Sequence, residues 1–153
     1  MEKFTAFTIT LSSIERSLHK IKSAKMSAYG LRATHLTCMI QIEISPDGLS
    51  PTEIAHACAI DKAFVSRITS DLSAHNFIKI NEKFNDGRKY RQKYILTEEG
   101  RVVLDEMKEA IDAIIDSASS EISDYEMRCF NKVLYMINEN LSLTKNDLTD
   151  FID

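Results

Sequence analysis

The sequence predicts a mainly α-helical fold carrying one small β-hairpin, and three observations predict it. Only four Gly and two Pro occur in 153 residues, which leaves little material for turns. Apolar residues recur at steps of three and four along most of the chain, the period of a helix. One stretch, Phe77-Ile78-Lys79-Ile80-Asn81, alternates instead, and a turn and a second apolar run follow it. At 44% hydrophobic and 27% charged residues the chain is too apolar and too evenly charged to be disordered. No stretch approaches the roughly 20 apolar residues of a membrane span. A single domain covering 1–153 is expected from the length.

The first segment places Phe4, Phe7, Leu11, Ile14, Leu18 and Ile21 at alternating steps of three and four, a narrow apolar seam on a long helix. Gly30, tolerant of the left-handed conformation, offers its stop. Leu31 to Ile44 forms a second helix, and Ser45-Pro46-Asp47-Gly48 is a turn on its chemistry alone. Ser50-Pro51-Thr52-Glu53 reads as a capping box with Pro at the first helical position, opening a short helix over 51–58. Asp61 is a second N-cap, for a helix to about His75 that buries Val65, Ile68 and Leu72. Two short helices joined by a tight turn are the helix-turn-helix unit.

The alternating run at 77–81, the turn Asn85-Asp86-Gly87 and the return from Tyr90 to Leu96 make the hairpin. Thr97-Glu98-Glu99 caps a long helix with Val103, Leu104, Met107, Ile111, Ile114 and Ile115 on its apolar side. Ser123-Asp124-Tyr125-Glu126 is another capping box, and the helix after it carries Phe130, Val133, Leu134, Ile137 and Leu141. A tail with Leu143, Leu148, Phe151 and Ile152 closes the sequence.

The net charge of −4 conceals an asymmetry. Residues 1–60 are nearly balanced at +1, 61–101 carry +3, and 102–153 carry −8. Lys79, Lys83, Arg88, Lys89, Arg91 and Lys93 crowd into 76–97 against only Glu82 and Asp86. A basic middle in an acidic chain is the footprint that a phosphate backbone attracts, although a solvated hairpin with ordinary lysines would read the same on charge alone.

These residues together resemble the MarR-type winged helix-turn-helix transcriptional regulators. The likeness lies in Leu49-Ser50 before the short helix, Val65-Ser66-Arg67 in the recognition helix and Leu72 with Phe77-Ile78 at the entry to the wing. It continues through Asp86-Gly87-Arg88 in the wing and Leu96-Thr97-Glu98-Glu99-Gly100 after it. Asn76, which also tolerates the left-handed conformation, stands where the family's usual glycine does. The resemblance implies a winged helix-turn-helix lobe over 31–101 and dimerisation helices over 1–30 and 102–153. It also implies a homodimer on a pseudo-palindromic operator, most often a repressor, and a cleft for small, frequently aromatic effectors.

The physics of the segment independently favours double-stranded DNA. A helix fits the major groove, where side chains near its start reach base edges. The exposed start is expected to be Asp61, Lys62, Ala63, Phe64 and Ser66, with Arg67 one turn in. Ala63 or Phe64 would meet thymine methyls, and Arg67 would either reach guanine or pair with Asp86 to hold the wing. Lys83, Asp86, Arg88, Lys89 and Arg91 complete the expected DNA-binding set, with Arg88 or Arg91 at the wing tip in the narrower minor groove.

Other chemistry finds less support. Cys38, Cys58 and Cys129 form no CxxC pair and fit a reducing cytoplasm. Small buried cysteines are usually inert packing, with a thiol sensor of the same fold as the alternative. His35 with Cys38, and His56 with Cys58, do not complete a four-ligand zinc set, so neither metal nor cofactor is expected. No phosphate loop, nucleophile elbow or His-Glu-x-x-His motif is present, so an enzyme is not expected. A winged helix that binds protein instead of DNA remains the alternative from a different class. Finally, the first helix and the last segments carry more apolar surface than one small lobe can bury, which predicts a two-fold interface between copies. Met1-Glu2-Lys3-Phe4-Thr5 lacks the flank and apolar run of a secretion signal.

Overall fold

The computed structural model describes residues 2–84 and 92–144, without the side chains of 3, 4 and 142–144. Six α-helices and one two-stranded antiparallel sheet follow in the order α1 (Glu2–Met26), α2 (Ala33–Glu43), α3 (Pro51–Ala57), α4 (Lys62–Ala74), β1 (Ile78–Ile80), β2 (Tyr94–Leu96), α5 (Glu98–Ala118) and α6 (Asp124–Thr144). Two compact units result, Met1–Asp112 and Ala113–Asp153, with α5 running from one into the other. No helix among the described residues is long and apolar enough to cross a membrane.

The first unit is organised around α2. Leu36, Cys38, Met39 and Ile42 are buried on this helix and Ile40 packs beside them, so it is apolar over most of its circumference, as a central helix must be. Around it the core collects Ile54 of α3, Val65, Ile68 and Leu72 of α4, Phe77, Ile78 and Leu96 of the hairpin, and Val103, Leu104 and Met107 of α5. Met26 and Leu31 close it at the end of α1. The α-helical form of α1 stops at Met26, and a 3-10 turn over Ser27–Tyr29 leads to Gly30 at φ 67°, four residues beyond the α-helical end. Further up α1, the apolar residues Phe7, Leu11 and Ile14 remain exposed.

Two glycines let backbone segments approach where any side chain would collide. A Cβ on Gly48 would lie 2.1 Å from the Tyr94 carbonyl oxygen, and φ there is +77°. This closeness allows Leu49 and Tyr94 to exchange backbone hydrogen bonds of 3.1 and 2.8 Å, so the connection from α2 to α3 lies against β2 like a third strand. A Cβ on Gly100 would lie 2.0 Å from the Phe77 carbonyl oxygen. There the start of α5 presses on the entry to β1. Thr97 caps α5 through its hydroxyl, which accepts from the Gly100 N–H at 2.9 Å and donates to the Asn76 carbonyl at 2.5 Å. Asn76 sits at φ 58°, the left-handed position its residue type allows, and its amide reaches Glu99 at 2.9 Å.

The hairpin pairs Ile78 with Leu96, Lys79 with Ile95 and Ile80 with Tyr94. The strands are shorter than the alternating pattern predicts: Asn81 keeps one bond across the hairpin, from its N–H to the Lys93 carbonyl at 2.7 Å, and its side chain then turns the chain aside. Its side-chain amide donates to the Asp47 carbonyl at 3.0 Å, and its side-chain oxygen accepts from the Lys83 N–H at 3.1 Å, starting a 3-10 turn over Glu82–Phe84. In the second unit, Ser123 and Glu126 form the expected capping box of α6, with Ser123 N–H to Glu126 Oε2 at 2.9 Å. Phe130, Val133, Leu134 and Leu141 on this helix are exposed.

Gly100→Ala is expected to destabilise the protein by roughly 1–3 kcal/mol, the usual range for forcing a methyl into filled space. Urea unfolding of both proteins checks this, and an unchanged midpoint would show that α5 and β1 can separate at no cost.

Candidate nucleic-acid interface

Helix α4 shows how the local sequence builds a presented surface. Asp61 Oδ1 accepts from the Phe64 N–H at 2.8 Å, capping the helix as its residue type predicts. Val65, Ile68 and Leu72 point inward at steps of three and four, which leaves Lys62, Ala63, Ser66 and Arg67 exposed near the helix start. Phe64 departs from the sequence expectation: it is half-buried and packs on the core, next to the face of Val65 and Ile68. Of the two side chains expected at thymine methyls, Ala63 is the one on the outer surface.

The turn before α4 contains a feature that the residue pattern does not announce. Ala59 adopts φ 52° in spite of its Cβ, and Ile60 N–H then bonds the Ala55 carbonyl at 3.0 Å. The packing of α3 and α4 on α2 through Ile54, Val65 and Ile68 holds this strained residue. A polar link between the buried His35 and the half-exposed Asp71 fixes α4 further along. His35 on α2 accepts the Arg32 N–H at Nδ1 (3.1 Å), so its proton sits on Nε2 and is donated to Asp71 of α4 at 3.1 Å. His35 is therefore a core histidine joining two helices.

Beside α4 lies a cleft of about 380 Å³, lined on the helix side by Lys62, Ser66, Ser70 and Ser73 and on the hairpin side by Gln92 and Tyr94. Ser66, Ser70 and Ser73 step by four and three along one polar stripe, flanking the buried seam. The sequence reading missed Ser70, Ser73, Gln92 and Tyr94. The stripe was visible as the polar complement of the Val65–Ile68–Leu72 spacing, whereas Gln92 and Tyr94 reach it only through the fold.

At the base of the hairpin, Lys93 is committed to the protein. Its Nζ lies 3.6 Å from Glu53 Oε1 and 5.1 Å from the centre of the Phe84 ring, so it braces β2 against α3. Glu53 in turn accepts the Ser50 N–H at 2.7 Å, which completes the capping box of α3. The Ser50 amide, then its hydroxyl, hold the Glu53 carboxyl below its ordinary range, and Lys93 adds to this. Lys83 is exposed where the hairpin loop begins. Asp86, Arg88, Lys89 and Arg91 lie outside the described residues.

The cysteines also separate by environment. Cys38 is buried in α2, Cys58 is half-buried at the end of α3, and Cys129 is exposed on α6. Among the described residues, no group of three or more His, Cys, Asp or Glu side chains converges as metal ligands would.

No protein-family model and no curated protein matches the sequence. Solved structures do match it in fold. MarR of Staphylococcus aureus, in complex with salicylate and kanamycin, aligns with a TM-score of 0.77 at 18% identity over 92% of this chain and 93% of that one. A MarR transcriptional regulator from Methanosarcina mazei aligns at 0.74 and 19%, covering 88% of each chain. CouR of Rhodococcus jostii, bound to p-coumaroyl-CoA, aligns at 0.69 and 17% over 86% of this chain and 90% of that one. The chain thus has the winged helix-turn-helix fold of the MarR-family transcriptional regulators.

Glu53 supplies a pH test of the cap. Its anion is favoured in the folded protein, so its contribution is complete above the ordinary glutamate range and is lost as pH falls through the lowered pKa. Glu53→Gln is expected to cost less than about 1 kcal/mol at neutral pH, because the group is largely in water, and to cost progressively less in acid. Urea unfolding across a pH series checks this; a difference that stays constant with pH would remove the ionic part of the cap.

Proposed function

We propose that this protein is a sequence-specific DNA-binding transcriptional regulator, acting as a homodimer on a pseudo-palindromic operator. The observation that carries the reading is the exposed start of α4, where Lys62, Ala63, Ser66 and Arg67 stand clear of a buried seam beside the base of a basic hairpin. In this reading Ser66 and Arg67 meet base edges and Ala63 meets a thymine methyl in the major groove. Asp61 shapes the helix start, and Lys62 and Lys83 meet phosphate. Asp86, Arg88, Lys89 and Arg91 complete the proposed contact set, with Arg88 or Arg91 meeting the adjacent minor groove. The hydroxyl stripe of Ser66, Ser70 and Ser73 adds donors of the kind that position a protein on the sugar–phosphate backbone.

The dimer reading draws on the apolar surface left in water. Phe7, Leu11 and Ile14 on α1 and Phe130, Val133, Leu134 and Leu141 on α6 are each more than a third exposed. Each such side chain contributes roughly 1.5–3 kcal/mol when fully buried, so α1 and α6 are assigned to a two-fold interface between copies. Repression with release by a small effector is the mode proposed. Aromatic acids and their CoA thioesters are the first compounds to try, because one matching structure holds salicylate, together with kanamycin, and another holds p-coumaroyl-CoA.

Fluorescence anisotropy on the duplex upstream of the protein's own gene, against random duplex, tests the first part. With about six phosphate contacts, the slope of log affinity on log salt is expected near −5. Replacing Lys62, Arg88 or Arg91 by Ala should weaken binding to every sequence, whereas Ala63 and Ser66 variants should shift the preferred sequence. Equal affinity for random duplex would end the reading and favour a protein-binding winged helix. Sedimentation equilibrium at micromolar protein tests the second part: the chain is 17.4 kDa, and a species of about 35 kDa is expected, while 17.4 kDa alone would exclude the palindromic mode.

A further inference from the structure

Arg67 and Asp71 stand one turn apart on α4, yet they do not pair. Arg67 is exposed and makes no ion pair among the described residues. The sequence alone points the other way. Apart from the cap Asp61, Asp71 carries the one carboxylate of α4, and residues four apart on a helix are neighbours on its surface. What separates them is the link to α2, in which Asp71 Oδ2 accepts from His35 Nε2 at 3.1 Å. The His35 ring is not free to follow Asp71 back towards Arg67. Its side chain is only 5% exposed, and Nδ1 is occupied by the Arg32 N–H at 3.1 Å. A ring held at both nitrogens therefore draws the carboxylate to the α2 side of the helix.

We infer that His35 is a positioning residue for base reading: it holds Asp71 against α2 and so leaves Arg67 free to meet guanine. The guanine rests on the DNA-binding reading above; the freedom of the guanidinium does not. An Arg side chain presents a fork of donors that matches guanine O6 and N7. The same fork matches a carboxylate, so Asp71 released from His35 becomes a competitor for it. That competitor travels on the same helix, and no dilution removes it. The affinity for DNA then falls by the fraction of time Arg67 is held. An ion pair at this spacing in water is formed about half the time, which makes the loss about twofold at each half-site. A dimer with two recognition helices on two half-sites loses about fourfold.

The two nitrogens of His35 have separate tasks, and substitution can divide them. Nδ1 satisfies the Arg32 N–H at the start of α2, whereas Nε2 restrains Asp71. Asn sets its side-chain oxygen near the place of Nδ1 and has no atom at the place of Nε2. Gln sets its amide nitrogen near the place of Nε2. His35→Asn therefore keeps the end of α2 and releases Asp71, and His35→Gln keeps Asp71 restrained.

The test follows Arg67 in the full chain, first alone and then on DNA. Phenylglyoxal, which modifies free guanidinium groups, is the probe, read at each arginine by mass spectrometry. Arg16 on α1, exposed and without an ion pair among the described residues, is the internal reference. Arg67 is expected to react as fast as Arg16 in the native protein and in His35→Gln, and about half as fast in His35→Asn. A native Arg67 that reacts at half the Arg16 rate or slower would overturn the inference without recourse to any variant. On the duplex upstream of the protein's own gene, His35→Asn is expected to bind about fourfold more weakly than the native protein. Made in an Asp71→Asn background, the same change is expected to cost nothing, because no carboxylate is left to compete. A His35 that only stabilises the fold or places α4 predicts the same loss in both backgrounds, and that result would overturn the inference. Equal affinity of the native protein for this duplex and for random duplex would overturn the DNA-binding reading and the role in base reading with it. The labelling rates would then still decide whether His35 frees Arg67.

Discussion

The contact of Val65, Ile68 and Leu72 with α2 is the constraint on which the rest of the structure depends. These side chains are fully buried, and their spacing permits only one face of α4 to enter the core. Once that face is chosen, Lys62, Ala63, Ser66 and Arg67 have no option but water. The surface offered to a partner is thus the remainder of a packing decision. Ile54 sets α3 against the same helix, so the turn between them must close over a short distance, and Ala59 accepts a left-handed backbone to do so.

Polar links then fix what apolar contact leaves free to slide. His35 joins α2 to α4 through Asp71, with a tautomer determined by the Arg32 N–H on its other nitrogen. Lys108 on α5 pairs with Glu43 at the end of α2. Lys93 ties β2 to α3 through Glu53, while Asn81 ties the hairpin to the turn between α2 and α3. Each joins elements distant in sequence, and the last two hold the base of the hairpin against α3 and the turn before it. Pairs with a partner well exposed to water, as Glu53 and Asp71 are, add little stability. Their effect is geometric, because they restrict the angle between elements already packed together.

Eight of the matching structures share only 14–20% of their residues with this chain and still superimpose with TM-scores of 0.65–0.77. Such low identity is enough because the fold asks for few specific residues. In this chain it rests on an apolar seam on α4, a small residue where α5 meets β1, side-chain caps before α3, α4, α5 and α6, and a left-handed position after α4. Gly100, Ser50, Asp61, Thr97 and Asn76 meet these demands here.

The sequence by itself determined the order and kind of the six α-helices and two strands, but not the 3-10 turns over Ser27–Tyr29 and Glu82–Phe84, since helix seams, capping boxes and turn residues act within four positions of one another. Ser50 with Glu53, Asp61, Thr97, Asn76 and the buried seam of α4 were all legible for that reason. Tertiary structure alone decided which half-apolar residues turned inward, and so Phe64 joined the core while Ala63 did not. It alone brought Cys38 to Cys58, set Lys93 between Glu53 and Phe84, and placed Gln92 and Tyr94 opposite the serine stripe. These meetings depend on the angle at which α3, α4 and the hairpin cross α2. That angle follows from the summed shapes of many buried side chains, a quantity that no local pattern of residues encodes.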